Sequence, residues 1–250
     1  MAIEFVKKDP NTTLPAQASN AVSLTVTFDS DTASGNFIGC LACGWRSGAF
    51  PTFTFGDNKS NGYANATYVN HATDYMVGYI GFVGAITGGS NHQVTATADA
   101  GATEIGFGAV EVSGPGTTVS GTPVSATGSG TAVASGTTTP TGNALYLGIA
   151  VKTGGASVTW SIAPWTDGVQ VHNQPDTAVD PMASGYEIGS GAQGASWTLS
   201  SEVAWGACIA AFAEAVGGIT QSSVISASAS VPTHTAVILY PGSVIPTITL

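Results

Sequence analysis

Val22-Ser-Leu-Thr-Val-Thr-Phe28 puts Val22, Leu24, Val26 and Phe28 on one side of an extended chain and Ser23, Thr25 and Thr27 on the other. Side chains of a strand alternate between its faces, so this segment reads as a strand with one buried face. Val94-Thr-Ala-Thr-Ala98 and Val158-Thr-Trp-Ser-Ile162 repeat the pattern, with residue types that suit a pleated, half-buried surface. No stretch of about 12 residues carries a helical apolar stripe with caps. The nearest approach, Trp205 to Val216, is expected to be a buried strand, because Gly206 and the short length disfavour a helix.

Turn signals separate these runs: Gly56-Asp-Asn-Lys-Ser-Asn-Gly62, Gly88-Gly-Ser-Asn91 and Ser113-Gly-Pro-Gly116. Strand and turn alternate every ~8 to 15 residues, which indicates an antiparallel sandwich or jelly roll. The pattern also looks duplicated. Ala33-Ser-Gly-Asn-Phe-Ile-Gly-Cys-Leu-Ala42 aligns with Pro140-Thr-Gly-Asn-Ala-Leu-Tyr-Leu-Gly-Ile149, about 107 positions on. In the same order, Phe53 to Phe55 then aligns with Val158 to Trp160, Tyr79-Ile80 with Tyr186 to Ile188, Val94 to Ala98 with Trp197 to Leu199, and Phe107 to Val112 with Trp205 to Phe212. Two similar half-sheets stacked face to face around one core would account for this.

Charge is scarce. Only 8% of residues are charged, with 5 Lys and Arg against 15 Asp and Glu and a net charge of −10. Neutral hydroxyls therefore make up much of the surface, and the cations that hold phosphate backbones or acidic lipid are missing, so nucleic acid and membrane surfaces are not expected partners. The start, MAIEFVKKDP, lacks the apolar core and cleavage pattern of a secretory signal, so synthesis in a cytoplasm is expected. The apolar runs Val77 to Ile86 and Ala204 to Ala213 are about half the ~20 residues of a membrane-spanning helix.

Three segments stand outside the repeats. Residues 1–20 read as an extended arm holding four of the charges, Glu4, Lys7, Lys8 and Asp9. The sandwich is assigned to 21–216, as half-repeats 21–114 and 140–216. The Gly/Ser/Thr-rich stretch between them is either a flexible joint or strands lying over the surface. Residues 217–250 follow a Gly-Gly break and contain the apolar run Val237, Ile238, Leu239 and Tyr240, which as an unpaired edge would invite association. They are read as an assembly segment.

Chemical motifs are sparse. Cys40 and Cys43 form a C-x-x-C, but in a strand they point to opposite faces about 10 Å apart, too far for a disulfide or a shared metal. With Cys208 they are expected to be buried thiols. His71, His92, His172 and His234 each lie alone in or beside polar turns, and no nucleophile elbow accompanies them. The Asp57 to Gly62 turn fails as a calcium loop, since Lys59 and Tyr68 occupy two of the ligand positions. No catalytic residue, metal ligand or cofactor is assigned. Trp45, Asp57, Tyr63 and Trp165 are candidate glycan contacts, because aromatic faces stack on sugars and a carboxylate fixes hydroxyls. A loop-packed role competes for Trp165, as a core role does for Trp160.

The Gly-Asn strand at 35–42, the turn Asp57-Asn-Lys-Ser-Asn-Gly-Tyr63, Tyr79-Ile80, Val94-Thr-Ala-Thr97, Ala109-Val-Glu-Val-Ser-Gly114, the second Gly-Asn strand at 142–151 and Trp205 to Phe212 together resemble the jelly-roll β-sandwich modules of phage virion proteins and bacterial surface proteins. That family usually has Glu-Tyr-Ser-Gly where this chain has Glu111-Val-Ser-Gly. The resemblance implies a virion location and a non-enzymatic structural role, foremost as a capsid decoration or cement protein. A homotrimer or lattice is expected, with other virion proteins such as a major capsid protein as partners. The alternatives are a head or tail fibre subunit, or a carbohydrate- or receptor-binding module with a host surface glycan as ligand.

Overall fold

A computed structural model describes residues 2–10, 16–71, 75–152, 169–173 and 182–215. The described chain is all-β. Its strands are β1 (Glu4–Lys8), β2 (Ala16–Thr27), β3 (Phe37–Trp45), β4 (Phe53–Asp57), β5 (Ala64–His71), β6 (Met76–Val83), β7 (Gln93–Ser113), β8 (Val124–Ala134), β9 (Asn143–Lys152), β10 (Val169–Asn173), β11 (Met182–Ser190) and β12 (Ser196–Ala213). No helix among the described residues is long and apolar enough to cross a membrane.

All pairings between these strands are antiparallel and fall into two sheets. One follows the order β1-β7-β3-β6-β5, with β2 and β4 also on β7; the other follows β10-β11-β9-β12-β8. The duplication is explicit in these orders. β2-β7-β3-β6-β5 in the first half corresponds to β8-β12-β9-β11-β10 in the second, strand for strand. Each half keeps its strands in its own sheet, and the sheets pack face to face as a β-sandwich. Residues 1–217 form one compact unit, and 218–250, a second unit, lie outside the described residues with Val237, Ile238, Leu239 and Tyr240.

Three apolar layers result. Between the sheets lie Phe37, Leu41 and Cys43 of β3, Ile80 and Phe82 of β6, Leu145, Leu147, Ile149 and Val151 of β9, and Cys208, Ala210 and Phe212 of β12. A second layer covers the other face of the first sheet. It exists because β7 serves twice: residues 104–112 pair with β3, while 94–98 pair with β4. The second pairing carries Val94, Ala96 and Ala98 over Ile38, Cys40 and Val77 together with Phe53 and Phe28. β12 does the same in the second half, where Trp197 and Leu199 join Tyr146, Ala150 and Ile209 in a third layer. The strands therefore have apolar residues on both faces where they are central, which is why β3 and β6 read as continuous apolar runs.

Two glycines show how closely the layers approach. A Cβ at Gly81 would lie 2.3 Å from the Phe55 ring, and one at Gly39 would lie 2.5 Å from Leu147 Cδ1. The missing side chains make room for bulky neighbours from the next layer.

The structure adds detail to several of the segments read from the sequence. Residues 124–134 of the linking segment form β8, the first strand of the second half, because alternate Ser and Thr face outward while the backbone pairs with β12. The amino-terminal arm contributes β1, paired with β7 through Glu4↔Ser113 to Lys8↔Val110. The repeat register also shifts by one residue. Phe37 pairs with Val112 and Leu145 with Phe212, and all four face the inter-sheet core, so Phe37 corresponds to Leu145 and not to Ala144. Matching the Gly-Asn turns alone slips the strand by one position, which exchanges its faces.

Cys40 and Cys43 point into different layers, and with Cys208 they are buried free thiols. Burial raises the pKa of Cys40 and Cys208, with Asp57 adding to the rise at Cys40. Thiolate is the reactive form. Ellman's reagent is expected to label none of the three in the folded protein and all three in denaturant; rapid labelling of Cys40 in native buffer would contradict this placement.

Candidate functional site

The densest polar constellation joins three turns at one end of the first sheet. Asp57 ends β4, and its side chain is buried. Its Oδ1 accepts from the backbone N–H groups of Lys59 and Asn61, both at 3.0 Å, which is how this Asp nucleates the 57–63 turn. Its Oδ2 accepts from Asn61 Nδ2 at 2.7 Å, from the Tyr63 hydroxyl at 3.1 Å and from His92 Nε2 at 2.8 Å. The opposite ring nitrogen, Nδ1, lies 2.7 Å from Thr32 Oγ1. In the tautomer that donates from Nε2 to the carboxylate, Nδ1 accepts from the Thr32 hydroxyl. Burial acts to raise the Asp57 pKa, but hydrogen bonds from Asn61, His92 and Lys59 outweigh it and hold the carboxyl below its ordinary value. The same carboxylate and burial push the Tyr63 hydroxyl well up, burial being the larger cause.

Hydroxyl, imidazole and carboxylate in line share the order of a nucleophile, base and orienting acid. Access is what differs. Thr32 is 3% exposed and His92 is fully buried. Neither of two surface cavities, one lined by Tyr68 and its neighbours and one by Gly35, Ala85 and residues 115–120 and 213–215, touches the triad. What this arrangement does chemically is clamp turns: Asn61 bonds Thr87 in both directions, Lys59 Nζ donates to Ser90 O, and Thr32 pairs with Gly89 through their backbones.

A second buried carboxylate reinforces the same end. Glu111 accepts from Ala33 N and Asn36 Nδ2, each at 2.7 Å, and faces Lys7 Nζ at 3.3 Å. Lys7 also donates to Ser30 O, Ser30 Oγ and Asp31 O. Lys7 and Glu111 are cross-strand partners, so their ion pair fastens β1 to the sheet.

Among the described residues, Trp45 does not join Asp57 and Tyr63 of the proposed glycan contacts. Asp57 and Tyr63 meet, but as partners within the clamp, where Tyr63 is half-buried. Trp45 closes β3 at the end away from the Asn36 turn and packs, half-buried, against the inter-sheet core. Trp165 and Trp160 lie outside the described residues. His92, read in the sequence as an isolated turn histidine, is the centre of the clamp. Its partners are 60 and 35 positions away, so no local spacing announces them. His71 is buried at the end of β5, and His234 is outside the described residues. Among the described residues, no three His, Cys, Asp or Glu side chains are placed to hold a metal ion.

Exposed aromatic surface is found elsewhere. Tyr68 of β5 is 51% exposed and stacks on Tyr79 of β6, with ring centroids 5.2 Å apart and planes 19° from parallel. Nothing in the sequence singles out Tyr68, because a tyrosine in a strand is ordinary. Compared with known proteins, the chain matches no family model, no curated protein and no solved structure.

Proposed function

We propose that the chain is a non-enzymatic structural subunit of a phage virion, a capsid decoration or cement protein that assembles by strand exchange between copies. The observation that supports this reading is the edge of β8. Residues 124–130 pair with 203–209 of β12 on one side and with no described strand on the other. The edge carries no charge and no proline, and Ser125, Thr127 and Ser129 are its exposed side chains. Natural edges are commonly blunted by Lys, Pro or a cover; one without them is a template for main-chain pairing. The apolar run 237–240 supplies an incoming strand of suitable character, and a surface with few ions lowers the desolvation cost of packing neutral neighbours.

Removing residues 217–250 is expected to reduce a trimer or larger assembly to monomer, read by size-exclusion chromatography with light scattering, while the β-type circular dichroism of 1–216 persists. An unchanged mass would reject strand exchange. The virion assignment is tested separately by mass spectrometry of purified particles, where absence of the chain would reject it. The exposed Tyr68 favours a second reading, a carbohydrate-binding module.

A further inference from the structure

We propose that Tyr68 and Tyr79 form the platform of a binding site for a neutral pyranose sugar. This goes beyond the assembly role and does not depend on it.

Tyr68 and Tyr79 are cross-strand partners in β5 and β6, and β5 is the outermost strand of its sheet among the described residues. The lower ring is fixed. Tyr79 is 5% exposed and meets the buried Phe53 edge-on at 5.5 Å. Stacking on this anchored ring orients Tyr68, so the platform is organised before any ligand arrives. One Tyr68 face lies on Tyr79; the exposed half of the residue borders a shallow cavity of about 410 Å³.

The lining decides the ligand class. Thr52, Asn65, Thr67, Tyr68, Tyr79 and Pro123 border the cavity, and none of its lining residues is charged. Asn65 spends one amide N–H on Phe53 O at 3.0 Å, which fixes the side chain and leaves its carbonyl oxygen and second N–H for a ligand. Hydroxyl and amide groups that both donate and accept match sugar hydroxyls, and an aromatic ring matches the C–H face of a pyranose. No cation is present for a phosphate, sulfate or carboxylate, and the net charge of −10 disfavours anions further. The cavity falls within the range of small-ligand sites. A neutral hexose or N-acetylhexosamine is the fitting occupant.

The full chain is presented to an array of glucose-, galactose-, mannose- and N-acetylglucosamine-terminated oligosaccharides beside sialylated and sulfated ones, and the strongest neutral binder is titrated by calorimetry. Saturable binding is expected. Tyr68→Ala is expected to weaken it about tenfold, the scale of one lost stacking contact, and Tyr68→Phe to retain it. Tyr68 is half exposed, so Tyr68→Phe should keep the wild-type melting temperature and Tyr68→Ala should lower it by only about 2–4 °C, which the same samples report. Absence of binding to every neutral glycan, preference for the anionic ones, or unchanged affinity in Tyr68→Ala would each overturn the proposal. A change of oligomer mass in Tyr68→Ala without any glycan binding would show the platform to be a contact between copies, and would overturn it too. Loss of assembly on deleting 217–250 bears on neither result.

Discussion

Asp57→Ala is expected to lower the unfolding free energy by about 2–5 kcal/mol at neutral pH, the range for leaving two donors of a hydrogen-bond network without their acceptor at ~1–3 kcal/mol each. The carboxylate receives donors from Lys59, Asn61, Tyr63 and His92, and alanine leaves the buried His92 and the half-buried Tyr63 with no acceptor. Asp57→Asn should also destabilise, because its amide brings N–H groups toward N–H donors. Urea denaturation reads both, and a loss below about 1 kcal/mol would contradict a structural clamp. The pH dependence has a definite sign. Hydrogen bonds hold the folded-state pKa of Asp57 below its unfolded value, so the carboxylate's contribution is complete above the ordinary Asp range of about 3.9. It is lost as pH falls from there through the lowered folded-state pKa. The difference in stability between wild type and Asp57→Asn should therefore narrow in that acid window and stay flat above pH ~6.

Phe37→Ala is expected to cost about 3–5 kcal/mol, the usual result of emptying a buried aromatic site. Phe37 is fully buried and touches both sheets through Phe82 at 5.9 Å and Phe212 at 4.7 Å between ring centroids. Phe212 also packs on Phe82 at 4.8 Å, so the three rings form one contact group. Phe212→Ala should cost a similar amount, and the double variant less than the sum, since the second truncation enlarges a cavity already open. The transition should remain single for every variant, because the ring group belongs to both halves. Strict additivity, or separate melting of the two halves, would contradict a shared core.

The architecture was legible where side chains alternate. Val22 to Thr27 and Val94 to Ala98 lie in strands, with Val22 exposed beside a register shift where alternation had placed it inside, and the Gly-Asn turns that precede Phe37 and Ala144 mark equivalent places in the two halves. Register was less legible, because a turn match says nothing about which face the next residue takes. β8 was legible only as one of two readings: Gly, Ser, Thr and Ala describe a flexible joint as well as a surface strand whose outer face is wet. The Asp57 turn could be read locally, but its role could not, since Thr32, Asp57 and His92 meet only when three separate hairpin ends close together. Tyr68 gave no signal for a related reason. Its significance lies in what Tyr79 and Phe53 do beneath it, and that depends on strand pairing across the sheet.

The equivalence of the two halves bears on how such a molecule can be taken apart. Phe37, Leu41, Ile80 and Phe82 on one side and Leu145, Leu147, Ile149 and Phe212 on the other each cover what their counterparts leave bare. A half cut free at the 114–123 joint would carry a greasy sheet face with no lid, and the surface best shaped to cover it would be its own likeness. The single chain is in that sense two like halves joined end to end. Joining the partners removes the concentration dependence of their meeting and frees each copy to diverge, so that one half bears the Asp57 clamp and the Tyr68 ledge while the other bears the open edge of β8.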